Sequence, residues 1–233
     1  MCGRYSLTTP AEALARLFGL ELAFDLLPRY NIAPSQDILA VRKSTRGGKE
    51  FVMLRWGLTP SWATPESHPG LISSPPINTR AETLDTKPSF RDAFRKRRCL
   101  VPADGYYEWQ KSPTRKRACR IRRQGDEPFA FAAIWEAREA PARGRSESCA
   151  IITSSATGLL ADIHGRMPVI IRPDNYDAWL SGPEDYQFGP KHILRDSVPH
   201  DLEAYPVNHY VNDVRIDDPR CIEPSGDSPA TLV

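Results

Sequence analysis

The chain has 233 residues, 40% of them hydrophobic and 26% charged, with a formal net charge of +2. That length supports a sizeable core in roughly one to two domains, and the balance is that of a folded domain rather than a disordered or fibrous chain. No apolar run is long enough to span a membrane, and the opening MCGRYSLTTP lacks an apolar signal-peptide core; the expectation is a cytoplasmic protein with no membrane partner. Five cysteines, Cys2, Cys99, Cys119, Cys149 and Cys221, include no C-x-x-C pair, and the five histidines lack metal-site spacing. Neither a disulfide framework nor a metal is expected, and nothing points to a cofactor.

In chain order, Thr9-Pro10-Ala11-Glu12 reads as a helix start, with Thr9 as cap and Glu12 completing a capping box. Leu14, Leu17 and Phe18 then share a face, and Gly19 ends the helix. Residues 20–37 read as loop, broken by Pro28, Asn31 and Pro34. Strands are predicted over 38–42 and 51–56 around a Gly47-Gly48 turn. The proline-rich stretch 59–76 reads as a long loop, a feature that is usually functional or disordered. A short helix over 90–96 leads to strands over 99–101, 106–110, 118–122 and 129–136, taken as a meander, and then to 149–153. A helical turn over 158–163 precedes a buried strand over 167–171; helices follow from Pro173 to Leu180 and over 191–196. The tail after Pro224 has the composition of a disordered segment. Strands dominate and βαβ alternation is scarce, which predicts a single α+β domain: a mainly antiparallel sheet forming a distorted β-barrel, with short peripheral helices.

Cys2 carries the most distinctive chemistry. Methionine before a small residue is normally trimmed, which would leave a cysteine with a free α-amine. The amine has an ordinary pKa of roughly 7.7–8.0 and the thiol about 8.5, so both are partly nucleophilic near neutral pH. Such a 1,2-aminothiol condenses with an aldehyde to an imine and then closes a thiazolidine ring. The same opening also fits an N-terminal-nucleophile cysteine amidohydrolase or peptidase, although those enzymes usually continue M-C-G-I and need an oxyanion hole that the sequence does not reveal. Two basic blocks, RDAFRKRR at 91–98 and RKRACRIRR at 115–123, read either as solvated surface or as phosphate-tracking patches. A non-covalent single-strand binding module is therefore a third reading.

Further polar motifs bear on the choice. They are RYNIAPSQ at 29–36, RWGLTPSWA at 55–63, INTRAET at 77–83, CLVPADGYYEW at 99–109, FAAIWE at 131–136, HGRMP at 164–168 and YPVN at 205–208. With MCGRY at the start, their order and spacing resemble the SRAP (SOS-response-associated peptidase) family over residues 1–222, leaving 223–233 as a tail. The resemblance implies a distorted β-barrel that shields abasic sites in single-stranded DNA by a thiazolidine crosslink from Cys2; a monomer is the default expectation, placed at the nucleoid if the chain is bacterial. The family's peptidase label refers to loss of Met1, and β-elimination from the imine adds a minor lyase activity to the expectation.

By the same resemblance, Cys2, Asn78, Glu108 and His164 are the catalytic positions. Glu108 would move protons, with its pKa raised by Tyr106, Tyr107 and Trp109. His164 would assist opening of the sugar ring, and Asn78 would hold the Cys2 amine or the sugar. Arg4, Arg80 and Arg166 match phosphate-holding arginines, and Asn31, Pro34 and Trp62 match loop positions against the bases. The sequence departs from the family at Gly165, where many members have Asp, and at Lys87-Pro88, where some carry an arginine.

Overall fold

The computed structural model describes residues 2–21, 23–111, 116–140, 144–181, 190–195, 197 and 201–226. The expected tail after Pro224 falls mostly outside them. Apolar strands in the middle of the chain build the core. β1 (Tyr5–Leu7), α1 (Ala11–Phe18) and β2 (Arg29–Ile32) come first, followed by the hairpin β3 (Asp37–Lys43) and β4 (Lys49–Trp56). After α2 (Pro69–Ser73), β5 (Asn78–Arg80) and α3 (Arg91–Lys96) come β6 (Arg98–Ala103), β7 (Gly105–Lys111), β8 (Lys116–Arg123), β9 (Phe129–Ala140) and β10 (Gly144–Ser155). β11 (Arg166–Pro168), β12 (Ile170–Ile171), α4 (Tyr176–Leu180), α5 (Pro190–Arg195) and β13 (Leu202–Pro206) complete the order.

β10, β4, β3, β6 and β9 pair in a ring that closes on itself, because β10 bonds both β4 and β9. Closure removes the unpaired edges of a flat sheet. The described pairings are antiparallel except β10 with β4 and with β5. The α+β barrel expected from the sequence is the observed fold. A second sheet, in the order β13-β8-β7-β1-β2, packs against the barrel. Tyr5 of β1 meets Trp56 and Phe131 edge-on, with ring centroids 5.4 and 5.8 Å apart, and Tyr106 of β7 meets Phe131 at 6.0 Å. Such pairs contribute ~0.5–1.5 kcal/mol each beyond their buried area. The opposite face of this sheet is covered by the segment 207–222, where Val207, Val211 and Cys221 bury Tyr107.

The meander expectation is corrected: β6 and β7 are adjacent in sequence yet lie in different sheets, β6 between β3 and β9, β7 between β1 and β8. The chain turns at Asp104-Gly105, where a Cβ on Gly105 would stand 2.5 Å from Arg120 Nε, so only glycine fits. The run 167–171 is likewise two strands. β11 pairs with β10 and β12 with β9; Pro168, which has no N–H, ends the first ladder. Thr9 does not cap α1. Its backbone N–H and hydroxyl donate to Asp104 at 3.0 and 3.2 Å, because the buried carboxylate needs donors more than the helix end does. Gly19 does end that helix, with a left-handed φ of 62°. Within 20–37, β2 forms against β1 and is held by Asp217, which accepts from Arg29 Nε and the backbone N–H groups of Tyr30 and Asn31.

Candidate functional site

The antiparallel pairing of β1 with β7 sets Tyr5 against Tyr106, and the Tyr107 N–H donates to the Arg4 carbonyl at 3.0 Å. Continued back, that register sets Gly3 opposite Glu108, with Cys2 one residue further, and the Glu108 charge acts on the Cys2 thiol. Period-two alternation turns Tyr106 and Glu108 to the core side of the sheet and Tyr107 and Trp109 to the other. Of the three aromatics expected to surround Glu108, only Tyr106 shares its face.

Asn78, at the start of β5, donates its side-chain amide to the Cys2 carbonyl at 2.8 Å. β5 runs parallel to β10, with Asn78 opposite Ile151. The Asn78 Oδ1 atom is buried and accepts no hydrogen bond among the described residues. His164 follows a 3-10 turn over Gly158–Asp162, and its Nδ1 stands 4.0 Å from Glu108 Oε1. That nitrogen also accepts from the Arg166 backbone N–H at 3.0 Å and lies 3.1 Å from the Arg166 carbonyl oxygen. Gln110 of β7 donates to the Asp162 carbonyl at 3.4 Å, joining the histidine turn to the glutamate strand. Cys2, Asn78, Glu108 and His164 thus converge from four separate stretches of chain.

Burial is the main electrostatic influence here. It pushes the Glu108 carboxyl above the usual range, against the pull of neighbouring positive charge that includes His164. Burial and then the Glu108 charge push the Cys2 thiol well up, so it stays protonated near neutral pH. Among the described residues no group of His, Cys, Asp and Glu is arranged to hold a metal ion, and no helix is long and apolar enough to cross a membrane.

The residues expected at DNA are spread around this cluster. Arg80 on β5 is exposed, and both it and Arg166 flank Thr153: Arg80 is its register partner, and Arg166 Nη2 donates to its carbonyl at 2.6 Å. Arg4 is half-buried. It donates to Asn31 Oδ1 at 2.9 Å and the Val211 carbonyl at 2.7 Å, with its guanidinium 5.9 Å from the Trp109 ring centre. Asn31 is fully buried, and its amide donates to the carbonyls of Val211, Asp213 and Ile216. It therefore presents no polar group to a surface ligand. Pro34 is half-buried in the turn before β3, whereas Trp62 is 43% exposed on the 59–76 loop, edge-on to His68. The two basic blocks are not uniform patches. Arg98 is buried and donates to backbone carbonyls of Trp179, Phe94 and Arg95, and Arg120 is buried on Asp104 at 3.1 Å. Both arginines are structural.

Sequence reasoning missed Glu82, which lies within the INTRAET motif and takes the Arg166 guanidinium in both carboxylate oxygens, at 2.6 and 3.0 Å. It also missed Gln110, whose position opposite the histidine turn depends on contacts 52 residues apart.

The chain is similar to known proteins. The abasic site processing protein YoqW of Bacillus subtilis is 37% identical over 230 residues, covering 96% of this chain and 99% of its own. The abasic site processing protein HMCES of Gallus gallus is 31% identical over 225 residues, 84% of this chain and 66% of its own. A crystal structure of a protein from Bacteroides thetaiotaomicron matches the fold with a TM-score of 0.82 at 24% identity, covering 96% of this chain and all of that one. The pattern of the SOS response associated peptidase family matches residues 1–214. With that match and these relatives, the chain belongs to the SOS response associated peptidase (SRAP) family.

Proposed function

We propose that the protein processes abasic sites in single-stranded DNA by capturing the baseless sugar covalently through Cys2, once Met1 has been removed. The supporting observation is the convergence of Cys2 with the Asn78 amide, Glu108 and His164, the last two 4.0 Å apart. The abasic site processing names of YoqW and HMCES agree with it.

The chemistry balances without an oxidant or a metal. The Cys2 α-amine adds to the C1′ aldehyde of the ring-opened sugar, and loss of one water gives an imine. The thiol then adds across the C=N bond: sulfur bonds C1′, the thiol proton passes to nitrogen, and a five-membered thiazolidine closes. A thiol with a raised pKa suits this order, because the amine acts first and the sulfur brings its own proton. Glu108, with its carboxyl above the usual range, gives a proton to the departing water and takes one back. His164 keeps a backbone partner in either protonation state, the Arg166 N–H when its Nδ1 is bare and the Arg166 carbonyl when it is protonated. This fits a group that donates a proton to the sugar ring oxygen and recovers it.

Arg80, Arg166 and Arg4 hold flanking phosphates, and Trp62 stacks on a neighbouring base. Asn31 and Pro34 support that wall from within. Contacts to phosphates and stacked bases read little sequence. An imine that never closes undergoes β-elimination, the origin of a minor lyase activity.

The test is a single-stranded oligonucleotide with one abasic site, resolved on a denaturing gel and by intact mass. The expected adduct weighs the protein lacking Met1 plus the DNA, less one water. Cys2→Ala should abolish it and increase strand cleavage, because the amine survives without the thiol. An equal crosslink from Cys2→Ala, or an adduct that retains Met1, would overturn the proposal.

A further inference from the structure

Arg166 reaches two places at once. Its backbone N–H meets His164 Nδ1 at 3.0 Å, and its guanidinium is fixed by other groups. Nη1 donates to Glu82 Oε1 at 2.6 Å and to Ser155 Oγ at 3.4 Å. Nη2 donates to Glu82 Oε2 at 3.0 Å, to the Thr153 carbonyl at 2.6 Å and to Thr153 Oγ1 at 3.2 Å. Nε is buried and makes no hydrogen bond among the described residues. Glu82 is the one carboxylate paired with this guanidinium among the described residues, and the two-oxygen fork sets the plane of the group as well as its position.

The histidine turn is tied at its start by the His164 N–H on the Leu160 carbonyl at 3.0 Å and by Gln110 on the Asp162 carbonyl, and the Ala156 N–H donates to the Gly165 carbonyl at 3.1 Å. Gly165 separates His164 from Arg166, nothing lies within 4 Å of the place its Cβ would occupy, and glycine leaves the backbone free. β11 begins only at Arg166. Beyond those bonds, the C-terminal end of the turn is held by Arg166, whose guanidinium is held by Glu82 and Thr153.

We propose that Glu82 is a positioning residue: by clamping the Arg166 guanidinium it holds the Arg166 backbone against His164, and so fixes which ring nitrogen of His164 faces Glu108 and the sugar. With Nδ1 accepting from the Arg166 N–H, the neutral ring carries its proton on Nε2. The weakest of the guanidinium contacts, that from Nη1 to Ser155, is the one a DNA phosphate can replace without disturbing the fork. The inference rests on the abasic-site reading for its consequence in catalysis, but not for the ring geometry.

Two measurements on the full chain test it. The first is the crosslinking rate on the abasic oligonucleotide as a function of pH, for Glu82→Ala and Glu82→Gln. The second is the pair of ring-nitrogen NMR signals of His164 in the free protein. Glu82→Ala should slow crosslinking roughly 10-fold, within what a displaced catalytic group costs, and should alter the pH profile. It should also turn a single His164 tautomer into a mixture. Glu82→Gln keeps one acceptor oxygen and should fall between. Unchanged tautomer and rate in Glu82→Ala, with an unchanged melting temperature, would overturn the inference. So would faster crosslinking with tighter DNA retention, since Glu82 would then be competing with phosphate for Arg166. If the wild-type protein forms no crosslink at all, the proposed function fails, and the NMR signals alone decide the role of Glu82.

Discussion

Two carboxylates four positions apart, Asp104 and Glu108, are both buried beside β1, and their surroundings differ in kind. Asp104 is saturated. It accepts from Ser6 Oγ at 2.6 Å, the Thr8 N–H and hydroxyl, the Thr9 N–H and hydroxyl, and Arg120 Nη2 at 3.1 Å. At Glu108 burial outweighs favourable charge; the carboxylate stands 4.0 Å from His164, and its charge acts on the Cys2 thiol. A buried carboxylate wrapped in donors and paired with arginine holds structure together, here the turn that leads the N-terminal segment along β7. One whose proton affinity is raised, in contact with a second titratable group, is equipped to move protons.

The comparison can be broken at either residue. Glu108→Gln keeps shape and removes the proton carrier; crosslinking to an abasic oligonucleotide should slow by roughly 10²–10⁴, measured as single-turnover rates. A rate within twofold of wild type would place the proton transfer elsewhere. Asp104→Asn should instead act on folding. Losing one partner of a buried ion pair costs about 3–5 kcal/mol, and each kcal/mol lowers the melting temperature by roughly 2–4 °C in a chain of this size. The folded fraction at low temperature should still crosslink. Selective loss of activity with normal melting would reverse the roles assigned to the two acids.

A smaller effect sharpens the contrast at the base-stacking wall. Trp62→Ala should weaken retention of single-stranded DNA by about 1–3 kcal/mol, leaving the melting temperature unchanged because the ring is exposed. The smallest effect is on stability at Glu108 itself. Its carboxyl binds a proton more tightly in the fold than in the unfolded chain, so ionising it costs stability. That cost is absent below the ordinary carboxylate range, grows as pH rises through it and is complete above the folded pKa. Glu108→Gln should therefore melt a few degrees higher than wild type at neutral pH, with the gain vanishing near about pH 4. A lower melting temperature at neutral pH would contradict the raised carboxyl.

Much of the fold was legible because its signals are local. The apolar runs of β6 and β9 and the Gly47-Gly48 turn between β3 and β4 announce themselves within a few residues. β2 reads as loop in the sequence because what makes it a strand, pairing with β1 and the Asp217 carboxylate, comes from more than 180 residues away as well as from the N-terminus. Thr9 looked like a helix cap until a distant Asp104 claimed its donors. At the candidate site, motif resemblance singled out Cys2, Asn78, Glu108 and His164, whereas Glu82 carried no local mark. An acid beside a run of expected phosphate ligands gains meaning only when Arg166 is seen to fold onto it.

The sequence alone determined that this is a strand-rich α+β chain of the SRAP pattern with a cysteine at position 2, because residue type, turn chemistry and motif order are properties of short segments. Tertiary structure decided the rest. It closed β10 onto both β4 and β9, turned Arg98, Arg120 and Asn31 inward, and brought β7, β5 and the histidine turn to the N-terminus. Burial and the distances between charges, which raise the proton affinity of the Cys2 thiol and the Glu108 carboxyl, exist only after the chain has packed.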